Sequence, residues 1–153
     1  MVLIGALGSL VFWSFEQNKN IRGDFELTRE MLYITERITD DANLAEKVEL
    51  LHYNDNEGLR IYYRKQPGGG LDVIYYGKME APESNLYRMV AHDASGPVTG
   101  DSILGRVNIT DFKTEKISPH TVSLEISGAS GVTGRTYELK SAVYVQGDII
   151  EKY

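Results

Sequence analysis

Hydrophobic residues divide the chain into three stretches with different periods. Residues 1–15 (MVLIGALGSLVFWSF) contain no charged side chain, residues 16–42 repeat hydrophobic positions with a helical period, and after about residue 46 the period becomes two. The first proline is Pro67, so one helix can run through the first two stretches. The pattern predicts an α+β fold: a long N-terminal α-helix, first apolar and then amphipathic, packed on an antiparallel β-sheet head.

The second stretch predicts an amphipathic helix that lays one face on the head. Its hydrophobic side chains fall in one arc about 180° wide, at positions Ile21, Phe25, Leu27, Met31, Leu32, Ile34 and Ile38. Most charged residues, including Asp41, fall in the opposite arc, and Asp24 does not fit this division. Gly23 costs about 1 kcal/mol relative to alanine in a helix interior, which predicts a local bend or melting near residues 18–23.

Alternation of hydrophobic and polar positions predicts a series of strands in the head. They are expected at 48–53, 59–64, 71–76, 86–90, 108–112, 122–127 and 137–145. Turn residues separate them at Asn54–Gly58 and Gln66–Gly70, whereas Ser102–Val107 fits either a helical turn or the lead into a strand. Because short turns cannot hold a parallel crossover, we expect antiparallel pairing in one sheet or in two.

Composition narrows the class of protein. A chain of 153 residues suits one domain, here divided into an apolar helix segment (1–15) and a globular head that includes the amphipathic half of the helix (16–153). The net charge of −6 argues against direct nucleic-acid binding, which depends on basic side chains that neutralise phosphates. The absence of cysteine excludes thiolate nucleophiles, cysteine metal ligands and disulfides.

No pattern in the sequence predicts an active site. His52, His92 and His120 share no metal-ligand spacing, and His92 and Asp93 with Ser95 offer the residue types of a catalytic triad only as sequence neighbours. The oxygen-rich run Asn54–Glu57 fits a solvated turn or a calcium loop. We therefore expect no enzymatic activity, no cofactor and no small-molecule substrate.

The apolar segment 1–15 admits several interpretations. As a helix it would span about 22 Å, and a complete bilayer span needs about 20 residues. It could be a helix of the protein's own core, a signal peptide or simple anchor, or the end of a longer membrane helix that begins upstream of Met1. We expect the last of these, because small residues allow close helix packing in lipid and aromatic residues mark its boundary. These residues are Gly5, Ala6, Gly8, Ser9, Trp13 and Phe15.

An ordered series of short motifs carries a resemblance to a known family. They are IYYG (Ile74–Gly77), NLYR (Asn85–Arg88), SILGRVNITDF (Ser102–Phe112), TVSLEI (Thr121–Ile126) and the closing strand Leu139–Val145. With the preceding helix, this order resembles the type IV pilin superfamily, especially J-type minor pseudopilins of type II secretion and minor pilins of competence systems. The family's cleavage motif, a glycine before Phe-Thr-Leu-x-Glu, does not occur here. Gln146–Gly147–Asp148 stands where Arg-Asn is common in the family.

The resemblance implies a pilin-like fold and a structural minor subunit of a filament involved in secretion, DNA uptake or adhesion. It assigns assembly to the apolar helix residues Val2, Leu3, Ile4, Leu7, Leu10, Val11, Phe12, Trp13 and Phe15. The implied partners are other pilin or pseudopilin subunits, and the cytoplasmic membrane before assembly. The implied location is the bacterial cell envelope, with the head outside the cytoplasm, or an extracellular filament.

The same sequence features admit a second function. The helix could tether an exported head that binds a ligand, DNA or a surface. This alternative predicts a groove on the head and no self-association through the helix.

Overall fold

One continuous α-helix, α1 (Val2–Asn43), opens the fold. The structure, a computed structural model, describes residues 2–53, 56–63, 72–78, 85–90, 94–97 and 107–152, with the side chains of α1 described from Leu10 onward. The 42 residues of α1 form a rod, about 63 Å long. The local melting expected near residues 18–23 does not occur, because the helix is uninterrupted there. A Cβ on Gly23 would lie 3.0 Å from the Cβ of Val132, so this glycine serves close packing on the head.

Nine strands follow α1 in the described parts of the chain. They are β1 (Ala45–Tyr53), β2 (Asn56–Tyr63), β3 (Asp72–Lys78), β4 (Asn85–Val90), β5 (Ala94–Pro97), β6 (Val107–Ser118), β7 (Thr121–Ser130), β8 (Thr136–Tyr144) and β9 (Asp148–Lys152). They form a six-stranded sheet of order β5-β4-β3-β2-β1-β9 and a three-stranded sheet of order β6-β7-β8. The expected α+β class, one long helix packed on mainly antiparallel sheets, is confirmed.

The last strand departs from the predicted antiparallel pairing. β9 joins the edge of the six-stranded sheet parallel to β1, with Val48 opposite Ile149. The chain reaches this edge at Gly147, where a Cβ would lie 1.8 Å from the carbonyl oxygen of Glu46, so only glycine fits. A parallel pair needs a long connection, and nearly the whole head provides it, because β1 is the first strand and β9 the last.

A buried carboxylate ties β9 to its neighbours. Glu49 of β1 accepts hydrogen bonds from Lys47 at 2.6 Å, from the hydroxyl of Tyr62 at 2.7 Å and from Lys152 of β9 at 3.0 Å. Burial alone would raise the pKa of Glu49, but these hydrogen bonds outweigh burial and lower it to about 2. The parallel strand β9 therefore places the ammonium group of Lys152 beside the buried carboxylate of Glu49.

The two sheets and α1 enclose a single core. α1 lies against β7 and β8 and reaches β1, and β6 lies against β2, β3 and β4. From α1 the core receives Leu27, Met31, Ile34, Ile38 and Ala42. From the sheets it receives, among others, Leu50, Ile61, Tyr75, Phe112, Leu124 and Ile126. Three hydrophobic residues expected on the docked face, Ile21, Phe25 and Leu32, are exposed instead.

Other differences from the predicted strands concern their ends and the short edge strands. Of the turn predicted at Asn54–Gly58, residues 56–58 belong to β2, and residues 54–55 lie outside the described chain. The loop predicted at Gln66–Gly70 and residues 102–106 also lie outside it. β5 and β9 were not predicted from the alternation, since each is short and β5 ends in Gly96 and Pro97.

Candidate functional site

Between Leu10 and Phe15, α1 presents its hydrophobic side chains to solvent. Leu10, Val11, Phe12, Trp13 and Phe15 are each between 54% and 70% exposed. These residues are distributed around the helix axis and all of them are exposed, so no face of residues 10–15 is buried against the head. For these residues the interpretation as a helix of the protein's own core is wrong.

The remaining predicted assembly residues belong to the same helix. Val2, Leu3, Ile4 and Leu7 lie in the first turns of α1, and their side chains are outside the described part of the structure. Their assignment therefore stays a prediction. The backbone makes them continuous with the exposed segment that follows.

Contact between α1 and the head begins about two turns after the apolar segment. No residue from Leu10 to Arg22 is buried, and Gly23 is the first buried position. At this junction Phe15, Lys19 and Val132 help to line an open cleft of about 370 Å³. The helix thus has a free half and a docked half, which we define as residues 10–22 and residues 23–43.

The docked half carries a second apolar surface on its outward side. Ile21, at the boundary, and Phe25 and Leu32 are 53% to 66% exposed, although they were predicted to face the core. The buried residues of the docked half recur every three or four positions and form a narrow face, whereas these three lie about 110° or more from the centre of that face. The predicted arc of about 180° therefore merged two apolar stripes. We call Ile21, Phe25 and Leu32 the outward stripe.

Asp24 holds the beginning of the docked half. Its carboxylate accepts a hydrogen bond from the hydroxyl of Thr133 at 2.8 Å and pairs with Arg135 Nη1 at 2.6 Å. Both partners lie in the turn between β7 and β8 and at its end. Asp24, the charged residue that did not fit the helical pattern, therefore binds the head.

Asp41 holds the other end of the docked half. It accepts a hydrogen bond from the hydroxyl of Tyr75 and pairs with Arg88 Nη2 at 3.2 Å. Burial, and then the hydrogen bond to Asp41, raises the pKa of Tyr75 well above its ordinary value, and the same two causes raise the pKa of Tyr63. The prediction that Asp41 belongs to the solvent face is wrong, because periodicity cannot anticipate polar partners from distant strands.

The other residues considered as sites are not brought together. His52 lies 3.8 Å from Glu57, whereas the exposed His120 lies 3.3 Å from the carbonyl oxygen of Gly147. His92 and Asp93, like Asn54 and Asp55 of the possible calcium loop, lie outside the described residues. Among the residues that are described, no His, Asp and Glu side chains are grouped as metal ligands.

Comparison with known proteins does not assign this chain to a family. Neither the family models, nor the curated proteins, nor the solved structures contain a match to this chain. Within the part of the chain that the structure describes, no helix combines the length and apolarity that crossing a membrane requires.

Proposed function

We propose that this protein is a structural minor subunit of a type IV pilus-like filament or pseudopilus, serving secretion, DNA uptake or adhesion. The observation that carries the proposal is the exposure of Leu10, Val11, Phe12, Trp13 and Phe15 at the free end of a helix that is firmly held elsewhere. A contiguous apolar surface of this kind is typical of a segment that is covered by a partner or by lipid.

The energetics of covering this segment favour assembly. Burying a 15-residue apolar helix removes roughly 1,500 Å² of apolar surface from water, which is worth tens of kcal/mol before ordering costs. A head that kept the segment exposed to water would forgo this stabilisation. In the proposed filament, helices of neighbouring subunits cover one another, and in the cytoplasmic membrane lipid covers the segment before assembly.

The outward stripe supports helix packing beyond the free half. Ile21, Phe25 and Leu32 continue an apolar surface onto the side of α1 that the head leaves open. A helix that serves only as a tether needs no such surface, whereas a helix packed among sister helices does.

The order of strands is consistent with the family resemblance. β3 carries Tyr75, β4 carries the Leu-Tyr-Arg sequence, β6 runs from Val107 through Phe112, and the antiparallel strands β7 and β8 follow before the parallel β9. This order supports the choice of the J-type pseudopilins and competence minor pilins within the superfamily. The implied location is the bacterial cell envelope, or a filament outside the cell.

Lysine at Val11 tests the proposal against a matched surface position. Val11→Lys places a charge in the proposed helix contact, and we expect it to abolish membrane retention and self-association, measured by cell fractionation and by sedimentation in mild detergent. Ile117→Lys is the control, because Ile117 of β6 is also hydrophobic and is 58% exposed. Normal membrane retention and self-association of Val11→Lys, or equal losses in both variants, would refute the proposal.

A further inference from the structure

The open cleft of about 370 Å³ lies in the corner between the free half of α1 and the head. The head contributes Val132, from the turn after β7. The helix contributes Phe15, Asn18, Lys19, Arg22 and Gly23. These helix positions are spaced as i, i+3, i+4, i+7 and i+8, so they form one face of α1, the face that meets the head at Gly23. We define this space as the junction cleft.

The charged side chains that line the junction cleft are both basic. Lys19 and Arg22 lie about one helical turn apart, and both are exposed. Within the part of the chain that the structure describes, neither forms an ion pair, although Glu16 lies three residues before Lys19. Asp24, two residues after Arg22, is already bound by Arg135. The cleft therefore carries two positive charges that no carboxylate of the head neutralises.

The lack of a partner distinguishes these two cations from the other described ones. Each remaining lysine or arginine side chain that the structure describes binds a carboxylate, a hydroxyl or a carbonyl oxygen. Acidic residues outnumber basic ones by 22 to 16 in the chain, so carboxylates are not scarce. Two unpaired cations on one wall of a cleft favour an anionic ligand from outside the subunit.

The position of the junction cleft along α1 matches the level of lipid headgroups. Under the proposed function, the apolar segment up to Phe15 lies in the hydrocarbon of the membrane before assembly. At about 1.5 Å of rise per residue, Lys19 lies about 6 Å and Arg22 about 10 Å beyond Phe15. The headgroup layer on each side of the hydrocarbon is about 5–8 Å thick, and long basic side chains reach back toward it. Both cations therefore reach the headgroups from below the head.

We propose that the junction cleft binds the phosphate of an anionic phospholipid headgroup while the subunit is in the membrane. The planar guanidinium of Arg22 can donate to two phosphate oxygens, and Lys19 adds a compact charge. Phe15 and Val132 give the cleft apolar walls beside the cations, which suit the glycerol end of a lipid. This inference rests on the proposed function, which places the apolar segment in lipid. A lipid bound here fixes the depth of the head above the membrane.

Lipid titration of the ¹⁵N-labelled full chain in non-ionic detergent micelles tests the site. The probes are phosphatidylglycerol and the zwitterionic phosphatidylcholine, each added to the same micelles and followed by amide chemical shifts. We expect saturable shifts at Lys19, Arg22 and Val132 with phosphatidylglycerol, and about tenfold weaker binding of phosphatidylcholine. The shift at Val132 reports binding in the cleft, because a lipid attracted only to the helix would not reach the head.

Removal of both charges separates this site from general attraction between the protein and an anionic lipid. The double variant Lys19→Gln/Arg22→Gln should weaken phosphatidylglycerol binding about tenfold or more, because each basic residue near a membrane surface contributes about fivefold. Its self-association, which is the readout of the proposed function, should be unchanged. Lys113→Gln/Lys140→Gln is the control, because it removes the same charge from exposed positions of the head. It should leave binding within about twofold.

The outcomes distinguish a failure of the lipid site from a failure of the proposed function. Normal self-association without preference for phosphatidylglycerol, or equal weakening by the two double variants, would overturn the lipid site alone. Weaker self-association of Lys19→Gln/Arg22→Gln in lipid-free detergent would assign the two cations to an acidic side chain of a second copy and would also overturn it. Inorganic phosphate that binds as tightly as the lipid would identify a free phosphate as the ligand instead. The proposed function fails separately, through normal self-association of Val11→Lys.

Discussion

The free half and the docked half of α1 are parts of one uninterrupted helix with different environments. In the docked half Leu27, Met31 and Ile34 are buried and two aspartates bind the head. In the free half, comparably hydrophobic residues such as Val11 and Phe12 are exposed and no residue is buried. The comparison shows that hydrophobicity alone does not determine which part of a helix belongs to the protein's own core.

The difference lies in what the head offers to each half. Next to the docked half the head presents small residues, and a Cβ on Gly128 would lie 3.0 Å from Leu27 and 3.1 Å from the sulfur of Met31. The turn after β7, which contains Thr133, marks the far end of this surface. Beyond it the helix continues without a covering surface, so its apolar residues are available to partners.

Truncation of a docked side chain should have the largest effect on stability. Met31→Ala leaves a cavity at a fully buried position, and we expect a loss of about 3 kcal/mol in the free energy of unfolding, measured by denaturant titration. Leu32→Ala is the control, because Leu32 is the next residue in the helix and its side chain is exposed. This substitution should change the free energy of unfolding by less than about 0.5 kcal/mol. Equal losses in the two variants would contradict the assignment of the docked face.

Neutralisation of Asp41 should have the next largest effect. Asp41→Asn leaves the half-buried Arg88 without its carboxylate partner, and we expect a loss of about 2 kcal/mol in unfolding free energy. Asp40→Asn serves as the control, because Asp40 is the exposed neighbour in the same helical turn. If Asp40→Asn cost as much as Asp41→Asn, the pairing with Arg88 would not be what holds this end of the helix.

Alkaline pH should weaken the docking of α1 more gradually. The pKa of Tyr75 is raised in the folded state, first by burial and then by its hydrogen bond to Asp41, so the folded protein keeps a proton that the unfolded chain releases near its ordinary value of 10. Stability is therefore fully present below about pH 10 and falls above it, by at most about 1.4 kcal/mol per pH unit for one tyrosine.

Tyrosine variants separate this contribution from other alkaline effects. Unfolding free energies measured between pH 9 and 11 should decline less steeply in Tyr75→Phe than in the unaltered protein. Tyr144→Phe, at an exposed position of β8, should leave the slope unchanged. A slope that Tyr75→Phe does not alter would contradict the role of Tyr75 in this pH dependence.

The helix and the central strands could be predicted from the sequence because their patterns are local. The uncharged run before Glu16 and the alternation through Val122, Leu124 and Ile126 depend only on neighbouring residues. The parallel β9 could not be predicted in this way, because its partner β1 lies about a hundred residues earlier and the approach depends on Gly147 fitting beside Glu46.

The polar contacts of the site were also beyond local patterns. Asp24 carried a usable signal, since a charge among apolar helix positions indicates a polar partner on the head. Asp41 carried no such signal, because its significance depends on Arg88, which folds next to it from a distant strand. The outward stripe could not be predicted either. The sequence shows one wide apolar arc on the helix, and this arc does not indicate that the head covers only part of it.

Cross-linking through a single cysteine at position 11 tests most directly whether the free half meets another copy of itself. The chain contains no cysteine, so Val11→Cys introduces a unique thiol at an exposed helix position, and Ile117→Cys introduces one at a similarly exposed position of the head. In cell membranes under mild oxidation, we predict a disulfide-linked dimer of Val11→Cys and none of Ile117→Cys. Absence of the Val11→Cys dimer, or equal dimerisation of both variants, would contradict assembly through the helix.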